Sequence, residues 1–208
     1  EVVARNYLIG EHPDAIINII DGTNLERNLY LSTQIIELGI PVVMAVNMMD
    51  VVRKSGDKID IKALSNALGC EVVEISALKG EGIKEAADKA VAAAKAKKAV
   101  ARVHKFDDAV EAAIDAVEAK LDDSVAEAQK RFFAIKVLEK DSKIGDQLKV
   151  IPDVSAEIKT LEDKFDDDTE SIVTSERYAY ISSIIGKCLK KAKSGKKLSV
   201  SDKIDKIV

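Results

Sequence analysis

Two short loops hold residues whose types and spacing could read a nucleotide base. Asn47-Met48-Met49-Asp50 follows the apolar run Pro41 to Val46, and Ser76-Ala77-Leu78-Lys79 follows Glu71 to Ile75. A carboxylate at Asp50 can accept two hydrogen bonds from the ring N–H and exocyclic amine of guanine, and adenine lacks both donors. Charge-assisted bonds of this kind contribute about 1.5–3 kcal/mol each, and the wrong base would leave the carboxylate buried and unpaired. Asn47 can meet the other edge of the purine with its amide while tying its own loop to neighbouring backbone. The small residues Ser76 and Ala77 let the backbone approach a ligand, with the Ala77 N–H placed to donate to the guanine carbonyl. Asn-x-x-Asp alone is also what an ordinary turn after a strand uses. The pairing with Ser-Ala one strand later distinguishes this constellation from a turn.

Such loops must leave the carboxyl ends of strands in an open α/β sheet. The first hundred residues alternate short β-branched runs with longer segments of helical period, the pattern of a parallel sheet covered by helices. Strands are predicted at Ala15 to Ile20, Pro41 to Val46 and Glu71 to Ile75. Helices are predicted from Asn24 to Leu38, from Asp60 to Leu68, and from just after Gly82 to about Lys97. In the first of these, Leu25, Leu29, Ser32 and Ile36 share a stripe, Thr23 or Asn24 serves as N-cap and Gly39 as C-cap.

Beyond about residue 98 the strand pattern fades into charged, helix-prone segments. Helices are expected at Phe106 to Leu121, Gln129 to Leu138, Asp153 to Phe165 and Thr169 to Lys193, ended by Ser194 and Gly195. The expected organisation is an α/β domain over residues 1–97 and an all-α domain over residues 98–208. A balance of 32 basic against 36 acidic residues, net −4, gives nucleic acid no global attraction. Cys70 and Cys188 lack the spacing of a disulfide framework or zinc site and fit a reducing, cytosolic compartment. No apolar stretch approaches the roughly 18 residues of a membrane span, so the chain as written is expected to be soluble.

The text around the two loops resembles one family in particular. Asn47 to Asp50 and Ser76 to Lys79 look like the guanine-specificity motifs of translation-factor-related GTPases, where the usual form is Asn-Lys-x-Asp. Met48 in place of lysine, with Asp14 to Tyr30, Glu37 to Val43, Arg131 to Glu139 and Glu176 to Ile181, is similar to the ferrous iron transport protein B (FeoB) family. The resemblance implies a partial P-loop-GTPase-like sheet, then a helical domain that leads through Ser201 to Ile207 into a transmembrane permease. It implies a region on the cytoplasmic side of the bacterial inner membrane that binds GTP or GDP, with hydrolysis gating Fe(II) uptake. The implied contacts are Asn47, Met48, Asp50, Ser76 and Ala77, with the Met48 thioether and stem covering the base by dispersion. The implied partners are the guanine nucleotide and the transporter's own membrane domain, with homo-oligomerisation a possibility and nucleic acid not among them.

No Gly-x-x-x-x-Gly-Lys-Ser/Thr phosphate loop occurs in these 208 residues. The resemblance makes Glu1 to Ile9 the remains of the second switch helix, and places the phosphate and Mg2+ machinery in a preceding segment. Hydrolysis and Mg2+ are thus expected only of an intact protein, and the chain is expected to be a fragment. Asn24, Arg27, Asn28 and Tyr30 are explained by capping and surface packing. The acidic cluster Glu162, Asp163, Asp166, Asp167 and Asp168 reads as a solvated helix end, although it offers hard oxygen ligands. The basic run Lys187, Lys190, Lys191, Lys193, Lys196 and Lys197 fits a membrane surface or a helix end favoured by the dipole. His12 and His104 show no nearby partner. Two other readings stay open: a flavodoxin-like module that binds no nucleotide, and a helical half that is itself a protein-binding domain.

Overall fold

The structure is a computed structural model and describes residues 2–97 and 104–192. In chain order the elements of the first half are α1 (Val2–Glu11), β1 (Ile16–Asp21), α2 (Leu25–Glu37), β2 (Val42–Asn47), α3 (Met49–Ser55), β3 (Lys58–Ile59), α4 (Ile61–Leu68), β4 (Glu71–Glu74) and α5 (Ile83–Ala96). The second half holds α6 (Asp108–Glu118), α7 (Lys130–Leu138), α8 (Ser155–Phe165), α9 (Thr169–Cys188) and β5 (Leu189–Lys190).

Strands β1, β2 and β4 form a parallel sheet in that order, with Ile16 opposite Val42 and Val43 opposite Glu71. The central strand β2 is a continuous apolar run because helices cover both its faces: Val42, Met44 and Val46 pack with α2 and α4, while Val43 and Ala45 pack with α5. β1 is the edge of the described sheet, and there Ile17 and Ile19 stand 43% and 62% exposed. Asn18, the polar residue inside β1, is satisfied by donating to Ser32 Oγ at 2.9 Å and to the Met44 sulfur at 3.2 Å.

The helix starts follow local chemistry. Asp60 caps α4 by accepting from the Ala63 N–H at 2.9 Å, and Asp168 caps α9 through the Ser171 N–H at 2.9 Å. At the head of α2 the cap is displaced. Asp21 accepts from the Thr23 N–H at 2.8 Å in a 3-10 turn, and Asn24 makes no side-chain cap.

Three expectations are corrected. The last helix ends at Cys188, five residues before Lys193, because the chain turns into β5 and pairs antiparallel with β3, Lys58 opposite Lys190 and Ile59 opposite Leu189. The Asp60 N–H donates to the Cys188 carbonyl at 2.7 Å and the Ala192 N–H to Asp57 at 2.8 Å, so strand structure does return in the second half. Asn47 to Asp50, read as a loop, contains the start of helix α3, which begins at Met49. His104 has partners: its ring stacks on Tyr180 at 3.9 Å and meets Phe106 edge-on at 4.3 Å.

The remaining readings resolve into packing. Tyr30 stacks on Tyr178 at 5.1 Å, and the Asn28 side chain donates to the Asn24 carbonyl at 2.8 Å. Glu162 pairs with Lys140 at 2.7 Å, and Asp166 ends α8 in a left-handed conformation. Lys193, Lys196, Lys197, Ser194, Gly195 and Ser201 to Ile207 lie outside the described residues. Among the described residues no helix is long and apolar enough to cross a membrane.

One helix joins the halves. α9 buries Ile181, Ile184 and Cys188 in the same cluster as the sheet residues Met44 and Val72, while Ile172 and Val173 belong to the cluster of α6, α7 and α8. Ile9, Leu38 and Ile40 from the first half enter that second cluster.

Candidate functional site

β2 and β4 are parallel neighbours, so their carboxyl ends open on one side of the sheet and the two loops meet there. Register is carried past the last ladder pair, because the Ile75 N–H donates to the Val46 carbonyl at 2.8 Å and the Met49 N–H to the Ile75 carbonyl at 3.3 Å. The Asn47 Oδ1 accepts from the Ala77 N–H at 3.0 Å, and the Ser76 hydroxyl donates to Asp50 Oδ1 at 2.9 Å. All five residues singled out from the sequence are therefore brought together. One donor is already engaged: the Ala77 N–H, assigned from the sequence to a guanine carbonyl, is held here by Asn47.

Each loop has a reason for its shape. Met48 takes a left-handed backbone, φ 61°, which turns the chain off β2 and starts α3 at once, leaving its side chain 42% exposed at the mouth of the site. A left-handed residue with a Cβ costs about 1–2 kcal/mol, so the surrounding bonds must hold it. Ser76 is buried and Asp50 half-buried. The Ser76 hydroxyl is the main reason the Asp50 carboxyl is held below its usual value, outweighing partial burial, with the Asp50 and Val51 N–H groups and the Lys79 charge assisting. Asp50 is thus ionised at neutral pH, as acceptance of two N–H bonds requires. Each carboxylate oxygen has two lone pairs, so the Ser76 bond leaves acceptor capacity on both.

Sequence reasoning missed several residues that shape this site. Gly22 presses on the Asn47 loop: a Cβ there would lie 2.9 Å from the Asn47 carbonyl oxygen and 3.1 Å from Val46. Its place directly after the Asp that ends β1 was the available signal, since Asp21 pairs in register with Asn47. Glu81 closes the second loop, exchanging N–H to carbonyl bonds with Ser76 at 3.1 Å each. Gly82, at φ 72°, follows it over the Glu74 carbonyl, where a Cβ would come within 2.1 Å. Arg53 on α3 reaches both Glu74 and Glu81.

Residues 1–90 match the family described as "Ferrous iron transport protein B", and residues 106–190 match "FeoB cytosolic helical domain". A crystal structure of a mutant S. thermophilus NFeoB bound to GDP is 41% identical, with a TM-score of 0.84 over 90% of this chain and 74% of that one. The chain belongs to the ferrous iron transport protein B family. The mGMPPNP-bound NFeoB of S. thermophilus, 40% identical, covers 94% of this chain and 74% of that chain with a TM-score of 0.81. Among curated FeoB relatives, the Fe(2+) transport protein A/Fe(2+) transporter FeoB fusion protein of Porphyromonas gingivalis is 33% identical over 100% of this chain and 26% of its own length. The Fe(2+) transporter FeoB of Escherichia coli is 38% identical over 68% of this chain and 18% of its own length. The chain spans about a quarter or less of these curated relatives.

Proposed function

We propose that this chain is the guanine-reading part of the cytosolic nucleotide-binding region of a ferrous iron transporter, followed by its helical domain. The division falls between residues 97 and 98. The observation that carries this is the Asp50 carboxylate, ionised and braced by the Ser76 hydroxyl at 2.9 Å beside the Asn47 loop. Asp50 accepts the guanine ring N–H and exocyclic amine, Asn47 offers its amide hydrogens to the purine's other edge, and Met48 covers the base. Ala77 donates to the guanine carbonyl by sharing or exchanging its bond to Asn47. The bound nucleotides named for the similar NFeoB structures, GDP and mGMPPNP, support this over a module that binds no nucleotide.

Further sheet and the phosphate-binding residues belong, in this reading, to a longer polypeptide. The open edge of β1, with Ile17 and Ile19 exposed, supports that. Magnesium takes one or two protein oxygens beside phosphate oxygens. In this reading magnesium comes with the phosphate-binding residues of that longer polypeptide. GTP turnover in the whole protein gates Fe(II) uptake through a membrane domain, with this region on the cytoplasmic side.

Calorimetry on the full-length polypeptide with GDP and ADP tests the base assignment. GDP is expected to bind and ADP not, and Asp50→Ala to weaken GDP by about a hundredfold or more, the loss of two charge-assisted bonds. Equal affinity for the two nucleotides would overturn the proposal.

A further inference from the structure

Helix α3 holds the second base-reading loop at two points one turn apart. Asp50, at its start, takes the Ser76 hydroxyl at 2.9 Å. Arg53, three residues on and therefore on the same face, forks its guanidinium to Glu74 at 3.1 Å and Glu81 at 2.9 Å. Glu81 in turn grips Ser76 through its backbone N–H and carbonyl. Asp50, Ser76, Glu81 and Arg53 thus close a ring through α3, and the loop between Ser76 and Glu81 cannot swing off Asp50 without opening it.

We propose that Arg53 is a positioning residue that latches this loop and so sets how long a guanine nucleotide stays bound, a reading that rests on the base-reading role of Asp50. A planar guanidinium suits the task, because it serves two carboxylates on different segments at once where an ammonium is a single point charge. Both arms are solvent-accessible, with Arg53 51% exposed and its partners 41% and 52% exposed. Each arm alone is therefore weak and screened by salt, and the latch opens without unfolding the domain. Glu74 ends β4 and Glu81 closes the loop, so the fork ties the loop both to the strand it leaves and to α3.

Two measurements test it. In the 208-residue chain, Arg53→Gln should speed amide exchange at Ala77 and Glu81 while leaving the β2 amides unchanged. In the full-length polypeptide, the same substitution should raise the dissociation rate of a fluorescent GDP about three- to fivefold, the scale of an exposed ion-pair network. The association rate and the preference for GDP over ADP should hold. The difference from wild type should vanish at about 1 M salt, where the screening length is about 3 Å. Arg53→Glu combined with Glu81→Arg should recover part of the residence time lost in Arg53→Glu alone, which a merely structural arginine would not show. Unchanged exchange at Ala77 and Glu81 would overturn the latch whatever the nucleotide does. Faster exchange with an unchanged dissociation rate would overturn its control of residence time, and failure to bind GDP at all would overturn the base-site reading beneath it.

Discussion

Removing Glu37 isolates the buried charge that joins the two halves of the molecule. Arg177 on α9 is fully buried and donates from both terminal nitrogens to the two Glu37 oxygens on α2, at 2.7 and 2.8 Å. Thr33 accepts at 3.3 Å, Glu139 approaches at 3.7 Å, and the guanidinium lies 5.7 Å from the Phe106 ring centre. Burial, the largest influence, would by itself lower the Arg177 pKa, but the Glu37 charge, its hydrogen bonds and the Glu139 charge together more than offset it, so the group stays charged. In Glu37→Ala that charge keeps only Glu139, which Lys136 already holds at 2.6 Å. Breaking a buried pair costs about 3–5 kcal/mol, and the residual Glu139 places the expected loss near the lower end, about 3 kcal/mol. For a chain of this size that lowers Tm by about 6–12 °C. Removing both charges, as Arg177→Met with Glu37→Leu, should return stability to within about 1 kcal/mol of wild type, because no buried charge is left unpaired. Urea unfolding followed by circular dichroism reads both, as a shift in midpoint at constant slope. A loss below about 0.5 kcal/mol for Glu37→Ala, the scale of a surface pair, would refute the reasoning. So would a double variant no more stable than the single one.

Two further outcomes follow from burial. Burial pushes the His104 imidazole down to about 4, so between about pH 6.5 and 4 the unfolded chain binds a proton that the folded chain does not. Stability must therefore fall with pH through that window, by about 2 kcal/mol at pH 5, and His104→Phe should remove this component in paired unfolding curves at pH 7 and 5. An identical pH dependence in wild type and variant would count against it. Burial also raises the Cys70 thiol to about 12. Its alkylation at about pH 8 should run about a thousandfold slower than in the unfolded chain, and rapid labelling of the folded protein in a mass-resolved assay would contradict this.

Much of the architecture was legible because its signals are local. β2 reads as a buried strand from Val42 to Val46, and α4 reads from its cap at Asp60 to its stop at Gly69. α3 was not legible, because Asn47 to Asp50 has the composition of a turn, and only the left-handed Met48 lets a helix begin one residue later. β3 and β5 are two residues each, too short for any periodicity, and they exist only because each supplies the other's hydrogen bonds. The buried charges were likewise hidden: Glu111 and Arg131, paired at 2.7 Å, look in sequence like solvated helix faces. His104 looked isolated because its ring partner Tyr180 lies on a distant helix.

By itself, the sequence determined which groups are available to read a base. A carboxylate, an amide and two small residues, each directly after an apolar run, are matters of residue type and spacing. What only the tertiary structure decided is that they act together. The Ser76 hydroxyl reaches Asp50 across 26 residues, a bond that no local preference selects. It forms because β2, apolar on both faces, must lie between β1 and β4 to be buried, and the parallel register then brings both loops to one end of the sheet. The same packing decided that Arg53 would face Glu81 and that Arg177 would lie between the halves, since a charged side chain on a helix carries no mark of what the fold will set against it.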